Sequence, residues 1–263
     1  MAREAKWILM LVLALVLVGV LSVYSASAAD SAAGARLLRE LVYVALGTVG
    51  LFIAAHFDYG QLRSAFLFRV IVVVAILFLL AVLVRTLGDV RKGAQRWIEV
   101  GAFSFQPSEL AKFALIVLLA VKLAANQEVI RSFWRGYVPV LIITGAFCGL
   151  VVLQKDLGTP VVMGAVAFVM MFVGGVRLAW LIPSLLPAFG LIYLLSVTSP
   201  HRLRRLTAFL DPWQYQSDEG YQLIQSMTAF AQGGIWGRGP GASEQKLHYL
   251  PEPHTDFIFA VWG

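Results

Sequence analysis

The sequence predicts an all-α polytopic membrane protein with about seven transmembrane helices, a large polar loop after them, and the start of an eighth helix. Hydrophobic residues make up 59% of its 263 residues, and charged residues only 14%. Soluble domains carry about 45–50% apolar and about 25% charged residues, so this composition exceeds what a water-soluble core needs. Several apolar runs also approach the length of about 20 residues that crosses a bilayer as a helix.

Seven apolar runs define the predicted spans, which together form a transmembrane region over residues 1–197. Pro107 suits the first turn of the fourth span, where a missing N–H costs nothing. The first run is too long for the core of a signal peptide, so we interpret it as a retained helix, with cleavage after it as the alternative. The runs are Trp7–Ser25, Leu41–His56, Ala65–Leu87, Glu109–Ala125, Tyr137–Leu153, Pro160–Gly175 and Leu178–Val197.

The longest polar stretch follows the seventh span, and we assign residues 198–255 to one large loop. A loop of this length is usually functional or disordered, and its many aromatic residues argue against disorder. The apolar run over residues 256–263 is too short to span, so it is expected to be a truncated eighth helix. Between the third and fourth spans, residues 88–108 mix cations with aromatic side chains, which is typical of a membrane interface.

The charge distribution excludes some partners but does not orient the chain. A formal net charge of +6 indicates anionic lipid rather than nucleic acid, because no basic run is interleaved with exposed aromatic residues. No phosphate-binding loop, nicotinamide fingerprint or zinc spacing is present in the sequence. Lysines and arginines are divided almost evenly between the two predicted sides, so the excess of cytoplasmic cations that normally sets topology is not visible.

Several charged residues fall on the same predicted side as the large loop. Ionisable groups near a bilayer usually face protein interior or a wet cavity, so these side chains are candidates for one site. Glu109 and Lys112 share a helix face, although an ordinary interfacial ion pair would look the same. Arg202 suits a phosphate because its planar guanidinium donates two bonds at once, although a basic flank that meets lipid headgroups is the alternative. The remaining members are Arg91, Lys92, Arg96, Lys155, Asp156, Arg204, Arg205, Asp211, Lys246, Glu252, His254 and Asp256.

Asp256 is the sharpest candidate, because it lies where the polar loop becomes an apolar helix. Thr255 before it suits a helix N-cap, and Glu252 and His254 lie close by, beside two prolines. A carboxylate in this setting can act as a general base or hold a divalent cation. The alternative is that it only decorates the start of a helix. His254 lacks partner ligands at the spacing of a zinc site.

Short motifs along the chain resemble the SEDS family of bacterial cell-wall polymerases, in the order that the family has them. They cover most of the chain from about Gly93 onward. The pattern of Gln245 and Lys246 followed by Tyr249–Glu252 is more similar to the division and sporulation branches than to the elongation branch. The motifs are Gly93–Ile98, Phe105–Lys112, Asp156–Thr159, Phe209–Trp213, Gly220–Leu223, Gln225 with Ser226, and Leu250–Val261.

The resemblance implies a peptidoglycan glycosyltransferase that polymerises lipid II into glycan strands during septal wall synthesis. The family's essential aspartate matches Asp256, to which we assign catalysis. A divalent cation, Mg²⁺ or Mn²⁺, is the expected cofactor, with Asp256 as its ligand. The residues expected to bind substrate are Arg96, Glu109, Lys112, Arg202, Lys246, Glu252 and His254.

The resemblance also implies a location and partners. Family members have ten spans with both termini in the cytoplasm, so this chain is expected in the bacterial cytoplasmic (inner) membrane, with a cytoplasmic N-terminus and an extracytoplasmic active face. Family members pair with a class B penicillin-binding protein, and other membrane proteins of the divisome or elongasome are expected nearby. The family continues with further spans beyond Gly263.

Two other functions are consistent with the charge pattern. A lipid II flippase would also place charged groups beside broken helices, but it needs polar access from both sides, and the polar groups here crowd one side. A non-catalytic scaffold that recruits the penicillin-binding protein would need no catalytic carboxylate at all.

Overall fold

The structure, a computed structural model, describes residues 3–27, 33–84, 89–91, 94–100, 103–125, 127–217, 220–234, 237 and 258–261. Five of the charged residues predicted for the site lie outside this part of the chain. They are Lys92, Lys246, Glu252, His254 and Asp256.

Helices dominate the described part of the chain. The α-helices are α1 (Arg3–Ser27), α2 (Ala33–His56), α3 (Ala65–Leu83), α4 (Pro107–Ala125), α5 (Gln127–Ile130), α6 (Val138–Leu153), α7 (Gly158–Val173), α8 (Leu178–Val197), α9 (Pro200–Leu210) and α10 (Tyr221–Gly233). The strands are β1 (Asp89–Arg91), β2 (Ala94–Val100) and β3 (Phe103–Phe105). Short 3-10 helices occupy Tyr59–Arg63, Pro212–Tyr215 and Ile258–Val261, and a π-helix occupies Phe133–Tyr137.

Each of the seven predicted spans coincides with a helix, so the all-α polytopic membrane fold is confirmed. Five of these helices are long and apolar enough to cross a bilayer: Glu4–Ser27, Ala33–His56, Phe66–Leu83, Phe133–Leu153 and Leu178–Val197. The other two are α7, which has 16 residues, and α4, which carries Glu109, Lys112 and Lys122. The total of seven spans therefore stays a prediction.

The structure adds two features that the sequence interpretation did not include. The interfacial segment between the third and fourth spans contains a three-stranded antiparallel sheet in the order β1-β2-β3. Its strands are short, and apolar residues alternate with polar ones at their paired ends. Ile98 pairs with Phe105, and Glu99 pairs with Ser104. The predicted large loop contains two helices, α9 and α10, so much of its described length is regular structure.

Helices α3, α4, α6 and α7 form the core of the unit Asp58–Leu195. Small residues on α3, α4 and α7 let the helices approach closely, as is usual where helices associate in a membrane. The buried core side chains include Ala75, Leu79, Ala111, Ala114, Leu115, Leu119, Val140, Phe147, Val151, Met163, Ala167 and Leu181.

Gly136 is required where the π-helix turns back against α5. A Cβ atom at this position would overlap the backbone of Val129 and Ile130. The aromatic side chains beside it pack against each other, with the rings of Phe133 and Tyr137 at 5.7 Å. The close approach fixes the connection between α4 and α6, because no larger residue fits there.

The second unit consists of Met1–Phe57 with Ser196–Gly263. Within it α1 packs against α2, and α10 packs against the 3-10 helix Ile258–Val261. Ala229 and Ala260 are both buried at that contact, and the rings of Phe230 and Phe259 lie 5.7 Å apart. The helix that the sequence predicts from residue 256 onward therefore begins, in its described part, as a 3-10 turn.

Candidate functional site

A buried carboxylate and a partly exposed arginine form the central contact of the candidate site. Arg96 Nη1 lies 3.5 Å from Asp156 Oδ2, and the Arg96 side chain is 34% exposed while that of Asp156 is only 5% exposed. Burying an isolated carboxylate is costly, so such groups are normally paired. The buried Asp156 therefore holds a guanidinium whose other face remains accessible.

The break between α6 and α7 presents Asp156 to the arginine. Lys155 adopts a left-handed backbone conformation with φ of 62°, which costs a non-glycine residue about 1 kcal/mol. Asp156 follows this reversal and accepts hydrogen bonds from Thr159, from the backbone N–H at 3.3 Å and from Oγ1 at 2.9 Å. The Asp156 carboxylate thus accepts hydrogen bonds at the start of α7 and forms an ion pair with Arg96 at the same time.

The small sheet presents Arg96. Strands β2 and β3 pair so that Ile98 lies opposite Phe105, and extending this register by two residues sets Arg96 level with Pro107, the first residue of α4. Strand β2 contacts both α3 and α4. The Phe78 and Phe105 rings, 5.7 Å apart in an edge-to-face arrangement, fasten β3 to α3. Strand β2, which packs against α4, therefore carries Arg96 to the carboxylate before the start of α7.

The first turns of α4 carry the second ion pair. Lys112 Nζ lies 2.8 Å from Glu109 Oε1, and the two side chains are 31% and 57% exposed. An exposed pair three residues apart contributes little to stability, typically about 0.5 kcal/mol. The sequence predicted that Glu109 and Lys112 share one face of the helix, and this contact confirms that prediction. We call the four residues Arg96, Glu109, Lys112 and Asp156 the polar cluster.

Two buried oxygens on neighbouring helices have no hydrogen-bond partner among the described residues. They are Ser108 Oγ in the first turn of α4 and Gln154 Oε1 at the end of α6. Gln154 Nε2 is satisfied, because it donates to the Leu79 carbonyl at 3.0 Å. A buried polar atom without a partner costs about 1–3 kcal/mol, and both of these atoms lie within two residues of a member of the polar cluster.

The structure brings together only some of the residues predicted from sequence. Arg96 contacts Asp156, and Glu109 contacts Lys112 on α4, the helix against which strand β2 with Arg96 packs. Arg202 lies on α9 of the other unit, so its relation to them stays a prediction. Asp156 was predicted only as one of the charged groups on the predicted side of the large loop, without a role of its own. Its burial and its contact to Arg96 were the missing signal, and both are properties of tertiary structure.

The predicted divalent cation depends on residues outside the described part of the chain. Among the described residues, no group of three or more His, Cys, Asp or Glu side chains could hold a metal ion. Asp256, Glu252 and His254 fall outside that search, and a cation at Asp256 stays a prediction.

Two residues of the polar cluster, Arg96 and Lys112, carry donors that can bind an anionic group. Arg96 is held by Asp156 through Nη1, and its planar guanidinium has further N–H donors. Preorganised donors of this kind stabilise negative charge that develops on a phosphate or a sugar oxygen. Lys112 adds a second cation on the adjoining helix.

Neutralising Glu109 or Lys112 is expected to separate function from stability. Because their exposed ion pair contributes only about 0.5 kcal/mol, Glu109→Gln and Lys112→Gln should shift the melting temperature by no more than about 2 °C. If both groups serve the site, glycan polymerisation should fall by at least about tenfold. Glu4→Gln and Lys6→Gln, on the exposed start of α1, are the matched controls. Normal polymerisation by both site variants would remove this pair from the site.

The fold and the polar cluster define an integral membrane protein with paired charges at its helix ends. A family model described as "Cell cycle protein", which covers FtsW, RodA and SpoVE, matches residues 5–263. The chain belongs to this family, and the resemblance found from its motifs is confirmed.

Individual relatives agree with the branch predicted from sequence. The chain is 41% identical over 262 residues to the probable peptidoglycan glycosyltransferase FtsW of Geobacter sp. (strain M18), covering 97% of this chain and 71% of the relative. It is 40% identical over 263 residues to the stage V sporulation protein E of Bacillus subtilis (strain 168), covering 97% of this chain and 70% of the relative. The names FtsW and stage V sporulation protein E are those of the two branches that the residues around Lys246 predicted.

One solved structure extends the likeness to three dimensions. The chain is similar to a chain of a peptidoglycan synthase complex, solved to explain how polymerization and crosslinking are coordinated. The TM-score is 0.71 at 31% identity, over 97% of this chain and 68% of the other.

Proposed function

We propose that this chain is a peptidoglycan glycosyltransferase that polymerises lipid II into glycan strands during septal wall synthesis. The observation that carries the proposal is the contact between Arg96 and the buried Asp156. This contact holds the Arg96 guanidinium beside the break between α6 and α7, where a pyrophosphate attached to a membrane lipid can reach it. The relatives named as FtsW, at about 40% identity over nearly the whole chain, support the same activity.

The substrate's chemistry explains why the enzyme lies in the membrane. Lipid II has a long polyprenyl tail, a pyrophosphate and a disaccharide that carries a peptide. The tail must stay in lipid while the sugars react in water, so the reacting groups meet at the end of the helices. Arg96 and Lys112 are the proposed contacts to the pyrophosphate, and Arg202 is the third candidate from the sequence.

The reaction is a glycosyl transfer with an oxygen nucleophile. A sugar hydroxyl of one lipid II attacks the anomeric carbon of a second lipid-linked chain, and the bond from that carbon to the pyrophosphate oxygen breaks. Asp256 accepts the hydroxyl proton as a general base, and the lipid pyrophosphate leaves with the electron pair. Arg96 stabilises the negative charge on the departing phosphate. Glu252, His254 and Lys246, close to Asp256 in sequence, are proposed to bind the sugars or the phosphates.

We also propose that a divalent cation binds at this site, although the glycosyl transfer does not require one. Asp256 would be one ligand, because a carboxylate oxygen suits Mg²⁺ and Mn²⁺. A bound cation would supply further neutralisation of the pyrophosphate charge. Polymerisation with and without a chelator, followed by readdition of Mg²⁺ or Mn²⁺, tests this requirement directly.

The proposed setting is the bacterial cytoplasmic membrane. In this setting the N-terminus would lie in the cytoplasm and the active face would be extracytoplasmic. A class B penicillin-binding protein is the proposed partner, since glycan strands need crosslinking and a similar solved chain belongs to a complex that coordinates both reactions. Other membrane proteins of the divisome or elongasome are proposed neighbours.

The test is polymerisation of labelled lipid II by the full-length protein with its partner in detergent or vesicles. The expected product is a ladder of glycan strands, made even when the partner's transpeptidase is blocked by penicillin. Absence of strands, together with movement of lipid II across vesicle membranes, would favour a flippase. Absence of both, with retained recruitment of the partner, would favour a scaffold.

A further inference from the structure

A cleft lies at the end of α4 opposite to the polar cluster. Its volume is about 350 Å³, within the range of about 300–1,000 Å³ that small-molecule sites occupy. With a helical rise of 1.5 Å per residue, Lys122 at this cleft lies about 20 Å along α4 from Glu109. The cleft is therefore separate from the proposed site of glycosyl transfer.

The cleft is lined mainly by apolar side chains and also by two cationic residues. Phe68 of α3, Leu118 and Val121 of α4 and Val140 of α6 contribute apolar side chains. Lys122 comes from the last turn of α4, and Arg135 comes from the π-helix Phe133–Tyr137. Helices α3 and α6 belong to segments that are long and apolar enough to cross a bilayer. The apolar wall therefore continues into membrane-spanning structure.

The two cations have no acidic partner within the described part of the chain. Both side chains are exposed, so they are available to a ligand. A single lysine in the last turn of a helix is explained by the helix dipole or by contact with headgroups. Here two cations from separate elements line one apolar cavity, so an anionic group bound in it can interact with both.

We propose that this cleft binds an anionic phospholipid, with its phosphate near Lys122 and Arg135 and an acyl chain along Phe68, Leu118, Val121 and Val140. The two cations match the negative charge, and the apolar wall matches the chain. Free inorganic phosphate would leave that wall unused. A zwitterionic phospholipid would bring an ammonium group toward two cations, which is unfavourable.

The experiment measures lipid retention by the purified full-length protein in native mass spectrometry. Phosphatidylglycerol is the anionic probe, and phosphatidylethanolamine with the same chains is the zwitterionic one. Wild type should retain phosphatidylglycerol more strongly. The double variant Lys122→Gln and Arg135→Gln should lower that affinity about twenty-five-fold, since each cation near a headgroup accounts for about a fivefold effect. Arg131→Gln, a nearby exposed cation that does not line the cleft, should change it less than about twofold.

A second variant tests the apolar wall without changing charge. Val121→Phe fills part of the cleft and should lower phosphatidylglycerol retention about tenfold while the two cations remain. Equal retention of the two phospholipids by wild type would overturn the proposal, as would full retention by the double variant. Displacement of the lipid by excess inorganic phosphate, or insensitivity to Val121→Phe, would instead identify a simple phosphate site and would also overturn it.

Discussion

Replacing Asp256 by asparagine is expected to abolish glycan polymerisation while leaving the protein folded. Asparagine has nearly the same volume but cannot accept the hydroxyl proton at neutral pH. Loss of a general base costs about a hundredfold to ten-thousandfold in rate, which would leave no detectable strands in a lipid II assay. The measurement is the initial rate of strand formation by the full-length protein with its partner, beside a gel-filtration profile of each variant.

The matched control is Asp30→Asn, which removes one carboxylate between the first two predicted spans. It should polymerise at the rate of wild type. If Asp256→Asn also keeps the normal rate, Asp256 is not the base and the assignment of catalysis is wrong. If Asp256→Asn retains a weakened rate that extra Mg²⁺ restores, the residue acts through a cation rather than as the base.

The Arg96 and Asp156 variants are expected to differ in stability although they break the same contact. Asp156 is 5% exposed and Arg96 is 34% exposed, so Arg96→Gln leaves a buried carboxylate without its cation. That change should lower the free energy of unfolding by about 3 kcal/mol. Asp156→Asn leaves a guanidinium that water can reach, and the new amide oxygen still accepts from Thr159, so about 1 kcal/mol should be lost.

A double-mutant cycle separates this account from simple loss of packing. Adding Asp156→Asn to Arg96→Gln removes the stranded charge, so the double variant should be more stable than Arg96→Gln alone. Its polymerisation rate should stay as low as that of Arg96→Gln, because the guanidinium is still missing. Chemical denaturation in mild detergent and the lipid II assay give the two readouts. Equal stability of the two single variants would contradict the buried-charge account, and wild-type polymerisation by Asp156→Asn would show that Arg96 needs no support from it.

The helices were predictable because membrane helices leave a strong local signal. An apolar run such as Leu178–Val197 forms a helix in lipid, because a helix satisfies the hydrogen-bonding groups of the backbone within the segment. This signal is weaker for α4, which carries charged residues, and for α7, which is short. Even there the predicted starts at Glu109 and Pro160 lie two residues from the observed starts at Pro107 and Gly158.

The sheet and the Arg96 contact were not predictable for a different reason. The alternation in Ile98–Val100 and in Phe103–Phe105 spans only three residues in each strand, which is too short to separate a strand from an interfacial segment. Arg96 and Asp156 are 60 positions apart in the sequence, and predicted topology placed them on one side without saying that they touch. Only packing of α4 against α7 makes them neighbours.

The antiparallel pairing of β2 with β3 also limits how this chain can change in length. Successive side chains along a strand point to opposite faces, so deleting one residue between Arg96 and Phe105 would turn the guanidinium away from Asp156 or shift the pairing partner of Ile98. Deleting two residues would restore the facing direction. Among natural sequences with this hairpin, length variation between the arginine and the following helix should therefore occur in even steps, and a comparison of hairpin lengths would show whether it does.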